Sequence, residues 1–229
     1  MDFIFNSTWN LTIFLSFIAY LVGSIPSSVW VGKTFYGLDV RDFGSGNAGA
    51  TNTFRVLGKP AGTVVLLMDI LKGYFAARLA YVVVNQFPDL YDNYDLVNVK
   101  LLFGFMAVFG HLLPIFAGFR GGKGVATLGG LIIALNVNVA LIALGIFLVT
   151  LFVTRFVSVS SMLAGISIPV LFVSVFGRNL HEYRQPTAVV FTIAIAVLVV
   201  YTHRKNIKRL IDGNETKAKL LPRHRRIDD

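Results

Sequence analysis

The sequence predicts an all-α fold, a polytopic bundle of about seven transmembrane helices forming a single domain over residues 1–229. Three observations predict it. Hydrophobic residues make up 55% of the chain and charged residues only 14%, too little charge to cover a water-soluble domain of 229 residues. The mean hydropathy is +0.69. Several apolar runs are long enough to cross a ~30 Å hydrocarbon core, which takes about 20 helical residues. The runs are continuously apolar and lack the alternation of period two expected of a closed β-barrel.

The first run, 11–31, has no basic segment before it and no small-residue cleavage site after it. Gly23, Ser24 and Pro26 lead directly into Ser27, Ser28, Val29 and Trp30, so a retained span is expected, not a removed leader. The second run, 61–84, contains Asp69 and Lys72 three residues apart, hence on one helix face. Charges at that depth face the bundle interior. A structural pair tying helices together is the leading expectation, and Asp69 as a general base the minority one. The third run, 101–117, holds His111 before a turn at Pro114, where a lone histidine is expected to be a hydrogen-bonded structural group. The fourth, 125–153, is long enough for a bent pair and is expected to break near Asn136 and Asn138. Runs at 155–176 and 187–201 complete the set.

Charge sets the orientation. The segment 32–60 carries Lys33, Arg41, Arg55 and Lys59, and the link 118–124 carries Arg120 and Lys123. The tail after Tyr201 holds Arg204, Lys205, Lys208, Arg209, Lys217, Lys219, Arg223, Arg225 and Arg226. Segment 85–100 instead carries Asp89, Asp92 and Asp95 against Lys100. An excess of Lys and Arg belongs inside, which puts the acidic loop and the N-terminus outside and the C-terminus in the cytoplasm. The link bearing Arg178 and Arg184 would be an outside exception. Parity then requires 125–153 to cross an even number of times: a helical hairpin gives seven crossings, a re-entrant segment five.

The net charge of +9 fits anchoring beside anionic lipid and capture of an anionic substrate, so no nucleic-acid partner is expected. The chain has no cysteine, which excludes disulfides, thiolate catalysis and thiolate metal sites. No metal ligand set and no cofactor motif is apparent. The GSGNAG run at 44–49 fits a dinucleotide-binding pattern literally, yet no βαβ unit surrounds it. A phosphate-binding P-loop is absent, since Lys59 is followed by Pro60 and Lys123 by Gly124. The HxxxxD spacing at 224–229 lies in a charged tail and is taken as chance.

Chemistry concentrates in two glycine-rich basic loops on one side of the membrane. The first is GSGNAGATN at 44–52, preceded by Arg41 and followed by Arg55; the second is GHLLPIFAGFRGGKGVAT at 110–127. Glycines let backbone N–H groups close around an anion, and a helix starting straight after the loop adds its positive dipole end. Gly44, Gly46 and Gly49 in the first loop and Gly121, Gly122 and Gly124 in the second are the candidates for that backbone. Ser45, Asn47, Thr51, Asn52 and Thr127 supply neutral hydrogen bonds, and Arg55, Arg120 and Lys123 the counter-charge. A third basic stretch, HRKNIKRLIDGNE at 203–215, leaves the last span directly, with His203 and Asn206 three apart on one face.

With GSIP at 23–26, these stretches resemble, in order and over essentially the whole length, the acyl-phosphate-dependent glycerol-3-phosphate acyltransferases of bacteria. The resemblance implies a bundle of about seven helices in the bacterial plasma membrane, its active site facing the cytoplasm. It implies that a fatty acyl phosphate from the membrane acylates the 1-hydroxyl of glycerol 3-phosphate, giving lysophosphatidic acid and phosphate, with no cofactor and no required oligomer. By carry-over, Ser45, Arg55, Lys123, His203 and Asn206 line the phosphate sites, and Ser158 or Ser161 adds a hydroxyl. The donor is already activated, so direct transfer without an acyl-enzyme is expected. Arg120 departs from the pattern by standing where lysine is common. The rival class is a transporter for an organic phosphate, which would use the same loops without making a bond; the inverted repeat common in transporters is not visible. A CDP-alcohol phosphotransferase would need paired aspartates that the chain lacks.

Overall fold

The computed structural model describes residues 2–87, 93–176 and 186–218, and among them every regular element is helical. The acidic stretch through Asp89 and Asp92, the link bearing Arg178 and Arg184, and the basic tail from Lys219 onward lie outside the described residues.

Helix α1 (Asp2–Gly23) and α2 (Ser27–Tyr36) divide the first predicted span at the GSIP motif, because Pro26 has no N–H and disfavours helical geometry at Ile25. After α2 the chain makes a 3-10 turn at Val40–Asp42 and enters α3 (Ala50–Leu57), then α4 (Lys59–Arg78) and α5 (Ala80–Gln86). Helix α6 (Asn93–Leu112) is followed by a second 3-10 turn at Ile115–Ala117. The fourth run is indeed two helices, α7 (Val125–Leu135) and α8 (Val137–Thr154), parted at Asn136. Asn136 takes an extended conformation, and its side-chain oxygen accepts the backbone N–H groups of Asn138 and Val139 at 2.9 and 3.1 Å. Helices α9 (Val157–Phe176), α10 (Pro186–Thr202) and α11 (Arg204–Ile211) follow, with α11 bent 53° from α10.

Among the described residues, four helical stretches are long and apolar enough to cross a membrane, or five if the bent pair α10–α11 counts as one. Helix α7, with 11 residues, is about 16 Å long and falls short by itself. Yet Val125 at the start of α7 and Val157 just past the end of α8 line one cavity, so the segment runs out and comes back.

Two close crossings, each made by a pair of glycines, hold the bundle. A Cβ on Gly23 would lie 2.0 Å from the Ala107 carbonyl oxygen, and one on Gly110 2.3 Å from that of Tyr20, so α1 and α6 touch backbone to backbone. A Cβ on Gly73 or on Gly130 would lie 2.0 Å from the carbonyl oxygen of Thr127 or Ile70, so α4 and α7 do the same. Without a hydrophobic drive between helices in lipid, such close packing is what associates them. Around the first crossing Leu15, Ala19, Ala76, Phe103 and Ala107 form one core; around the second Ala77, Val108, Leu128, Leu131 and Ile195 form another. Leu141, Leu144, Leu148, Val149, Phe152 and Val153 are exposed and make a broad apolar face on α8, as expected of a helix that meets lipid.

Candidate active site

The first glycine loop is wound round one side chain. Asn52, fully buried on α3, donates through Nδ2 to the carbonyl oxygens of Val40 (2.8 Å) and Phe43 (3.1 Å). Its Oδ1 accepts the Ser45 backbone N–H at 2.8 Å and the Ser45 hydroxyl at 3.1 Å. The loop passes so close to Asn52 that a Cβ on Gly44, where φ is +61°, would sit 2.4 Å from Oδ1. Asn52 spends its hydrogen bonds on the loop itself, which leaves Ser45 Oγ held in place with lone pairs still able to accept.

A guanidinium staples the first loop to the second. Arg41 donates to both carboxylate oxygens of Asp39, at 3.0 and 2.7 Å, and turns its other terminal nitrogen to the carbonyl oxygens of Ala117 (2.7 Å) and Arg120 (3.3 Å). The hydrogen bonds from Arg41 hold the Asp39 carboxyl down at about 2 against the opposing effect of burial. In the second loop, Gly124 adopts φ +79° and releases the chain into α7. The Gly122 N–H donates to the His111 carbonyl at 3.1 Å, closing the loop against the end of α6.

The tail completes the site. Lys123 donates to Asn206 Oδ1, and Asn206 Nδ2 donates to Glu215 Oε1 at 2.6 Å. The same carboxylate accepts Ser158 Oγ at 2.8 Å and Arg209 Nε at 2.8 Å. Although burial works against it, these three donors keep Glu215 below the usual carboxylate range. His203, between α10 and α11, donates from Nδ1 to the Val199 carbonyl at 2.8 Å; a carbonyl can only accept, so in the neutral ring Nε2 carries the lone pair. Burial, with Lys123 nearby, pushes the His203 imidazolium down to about 4, so the ring is neutral at physiological pH. Burial likewise pulls the Lys123 ammonium down to about 8; Glu215 opposes the shift and Arg209 and Arg55 add to it.

The Asn52–Ser45 loop, Lys123 and the tail residues open onto one cavity of about 360 Å³. Of the residues expected to carry the chemistry, Ser45, Arg55, Lys123, His203 and Asn206 all line it. Of those expected to bind phosphate, Gly44, Asn47, Gly49, Thr51, Asn52, Gly124 and Ser158 line it, and Ser161 as well. Gly46, Arg120, Gly121, Gly122 and Thr127 stand outside that lining. Gly121 and Gly122 press on His111, whose carbonyl oxygen would lie 2.1 Å from a Cβ on Gly121 and whose Nε2 2.1 Å from one on Gly122. Thr127 is buried at the α4–α7 crossing and Arg120 is exposed to solvent. The lining also has an apolar part, to which Leu66, Val125, Ala126 and Phe147 contribute. Asp69 and His111 line the cavity as well. From the sequence, Arg41 and Arg209 figure only as orienting charges and Glu215 has no role; all three take part in the hydrogen bonds above.

A family model described as glycerol-3-phosphate acyltransferase matches residues 13–213. A glycerol-3-phosphate acyltransferase of Chlorobium phaeobacteroides (strain DSM 266 / SMG 266 / 2430) is 42% identical over 225 residues, covering 88% of this chain and 94% of the relative. One of Listeria monocytogenes serotype 4a (strain HCC23) is 45% identical over 214 residues, covering 93% of this chain and 100% of the relative. Among solved structures, PlsY (YgiH), an integral membrane glycerol 3-phosphate acyltransferase, superposes in its glycerol 3-phosphate form with a TM-score of 0.76 at 39% identity, over 90% of this chain and 94% of that one. Its lysophosphatidic acid form gives a TM-score of 0.74 at 38% identity.

Proposed function

Since the chain belongs to the glycerol-3-phosphate acyltransferase family, we propose that it moves a fatty acyl group from an acyl phosphate to the 1-hydroxyl of sn-glycerol 3-phosphate, the first acylation of bacterial phospholipid synthesis. The single observation that carries this reading is one cavity lined both by cations and glycine loops and by the apolar side chains of Leu66, Val125, Ala126 and Phe147. A phosphate headed by an alkyl chain and a small polar phosphate both find matching chemistry there.

In this mechanism Arg55 and Lys123 hold the phosphates as counter-charges, and the loop amides and Ser45 add hydrogen bonds. The glycerol 1-oxygen attacks the acyl carbonyl carbon, a carbon–oxygen bond forms, and the bond from that carbon to the phosphate oxygen breaks. Inorganic phosphate leaves with its electron pair, stabilised by the same cations. The hydroxyl proton passes to a phosphate oxygen. His203 favours this route, because an imidazole with a pKa of about 4 is a poor proton acceptor at neutral pH. Neither a metal nor a cofactor takes part in the scheme, and one copy of the chain suffices for it. Catalysis is then chiefly positioning and charge stabilisation.

The same reading places the protein in the bacterial plasma membrane with seven crossings, the N-terminus outside and the C-terminus inside. Supporting it, both ends of the α7–α8 segment return to the cavity, and the basic residues of α3, of the second glycine loop and of α11 gather at that end. The cavity then faces the cytoplasm, where glycerol 3-phosphate is dissolved.

Purified protein in detergent, given labelled glycerol 3-phosphate, is expected to form lysophosphatidic acid with palmitoyl phosphate and not with palmitoyl-CoA. Product from the CoA ester alone would overturn the donor, and binding without any product would point to a transporter. A pH profile adds a second expectation. The Lys123 ammonium, at about 8, loses its proton as pH rises, so kcat/KM for glycerol 3-phosphate falls above that value by about tenfold per unit. A profile flat to about pH 10 would mean that Lys123 keeps an ordinary ammonium pKa or does not hold the phosphate.

A further inference from the structure

We propose that Asp69 is a positioning residue of the acyl-transfer site, acting through His111 on the glycine backbone that carries Lys123. The inference rests on the reading of Lys123 as a phosphate ligand given above. It starts from a buried polar chain running through the bundle. Where Pro26 interrupts α1 and α2, the Ile25 carbonyl accepts Lys72 Nζ at 3.0 Å. Lys72 Nζ also lies 2.8 Å from Asp69 Oδ1, and Ser27 Oγ donates to that same oxygen at 3.0 Å. His111 Nδ1 stands 3.6 Å from it on the third side. Asp69 is 2% exposed and His111 6%, so water competes little for these contacts.

The far side of the imidazole faces the second glycine loop. Its Nε2 lies where a Cβ on Gly122 would meet it at 2.1 Å, and the Ala48 carbonyl of the first loop would meet that same Cβ at 2.9 Å. Gly122 is thus gripped between the ring, the His111 carbonyl that accepts its N–H at 3.1 Å, and the first loop. The next residue is Lys123. A carboxylate–lysine pair at this depth is costly to bury and is often replaceable by apolar side chains without loss of stability. Here its second output is the fixed angle of the His111 ring, and through it the register of both phosphate loops.

The decisive experiment is steady-state kinetics on folded variants. Asp69→Asn keeps the shape and removes the charge, and Asp69→Asn with Lys72→Met removes the whole pair, so at least one variant reaches the assay folded. The expected result is a KM for glycerol 3-phosphate raised by ~10-fold or more, with kcat changed less. Gly122→Ala should push the ring away from the other side and give the same defect, and combining it with Asp69→Asn should add little. A folded charge-free pair with the parent KM, or defects that simply multiply, would mean that Asp69 only ties helices together. Should the parent protein bind glycerol 3-phosphate but fail to transfer, the acyl-transfer reading falls. The positioning inference is then decided by calorimetric affinity for glycerol 3-phosphate, unchanged affinity in the folded variants sinking it.

Discussion

Lys123→Met is expected to lower kcat/KM by at least ~10³-fold while the protein remains monodisperse in detergent. The methionine keeps most of the aliphatic stem and loses the ammonium, the cation that the second glycine loop delivers into the cavity. It also leaves Asn206 Oδ1 without its donor, a penalty of about 1–3 kcal/mol in a buried setting. Arg120→Met is the informative companion, since both cations belong to one motif and only Lys123 lines the cavity. Its rate should stay within about threefold of the parent, as exposed charges contribute little. Equal losses at the two positions would show that the loop rearranges to bring Arg120 inward.

The second large effect concerns two adjacent glycines of α7. Gly130→Leu should lower the apparent melting temperature by roughly 10 °C or prevent assembly, because the α4 backbone occupies the space. A Cβ there would lie 2.0 Å from the Ile70 carbonyl and 2.7 Å from the Tyr74 nitrogen, neither of which can yield without moving a helix. Gly129→Ala, one residue earlier, meets nothing within 4 Å and should be neutral or stabilising by up to about 1 kcal/mol. Size-exclusion profiles and thermal scans of the pair settle this, and similar behaviour at both positions would contradict the α4–α7 crossing.

Much of this architecture was legible in the sequence because lipid imposes a simple rule: a span must be apolar over its whole length. The break at Asn136 was legible for a related reason, since a short amide in an apolar run is best spent capping a helix. The cavity was legible in outline because glycines, hydroxyls and cations concentrate in few places in such a chain. What stayed hidden depends on partners with no signature. Arg41 acts on the carbonyls of Ala117 and Arg120, and any residue offers a carbonyl. Glu215 meets Ser158 across 57 positions, a pairing only the folded bundle brings about. Gly121 and Gly122 read as anion-binding backbone, yet they stand outside the cavity lining and abut His111. Close packing and close approach to a ligand demand the same residue, and the sequence does not say which. The divided first span was read as one helix, though Pro26 marked the place.

The tail folds back to where α8 meets α9, with Glu215 joined to Ser158 and the Ala218 N–H donating to the Arg155 carbonyl at 2.7 Å. This sets when the cavity can be completed during synthesis. A ribosome that has delivered the first two thirds of the chain has delivered Ser45, Arg55 and Lys123, but His203, Asn206 and Glu215 come only after the last long helix. A nascent chain therefore lacks part of the cavity lining until insertion is nearly finished, and a chain clipped ahead of His203 never acquires it.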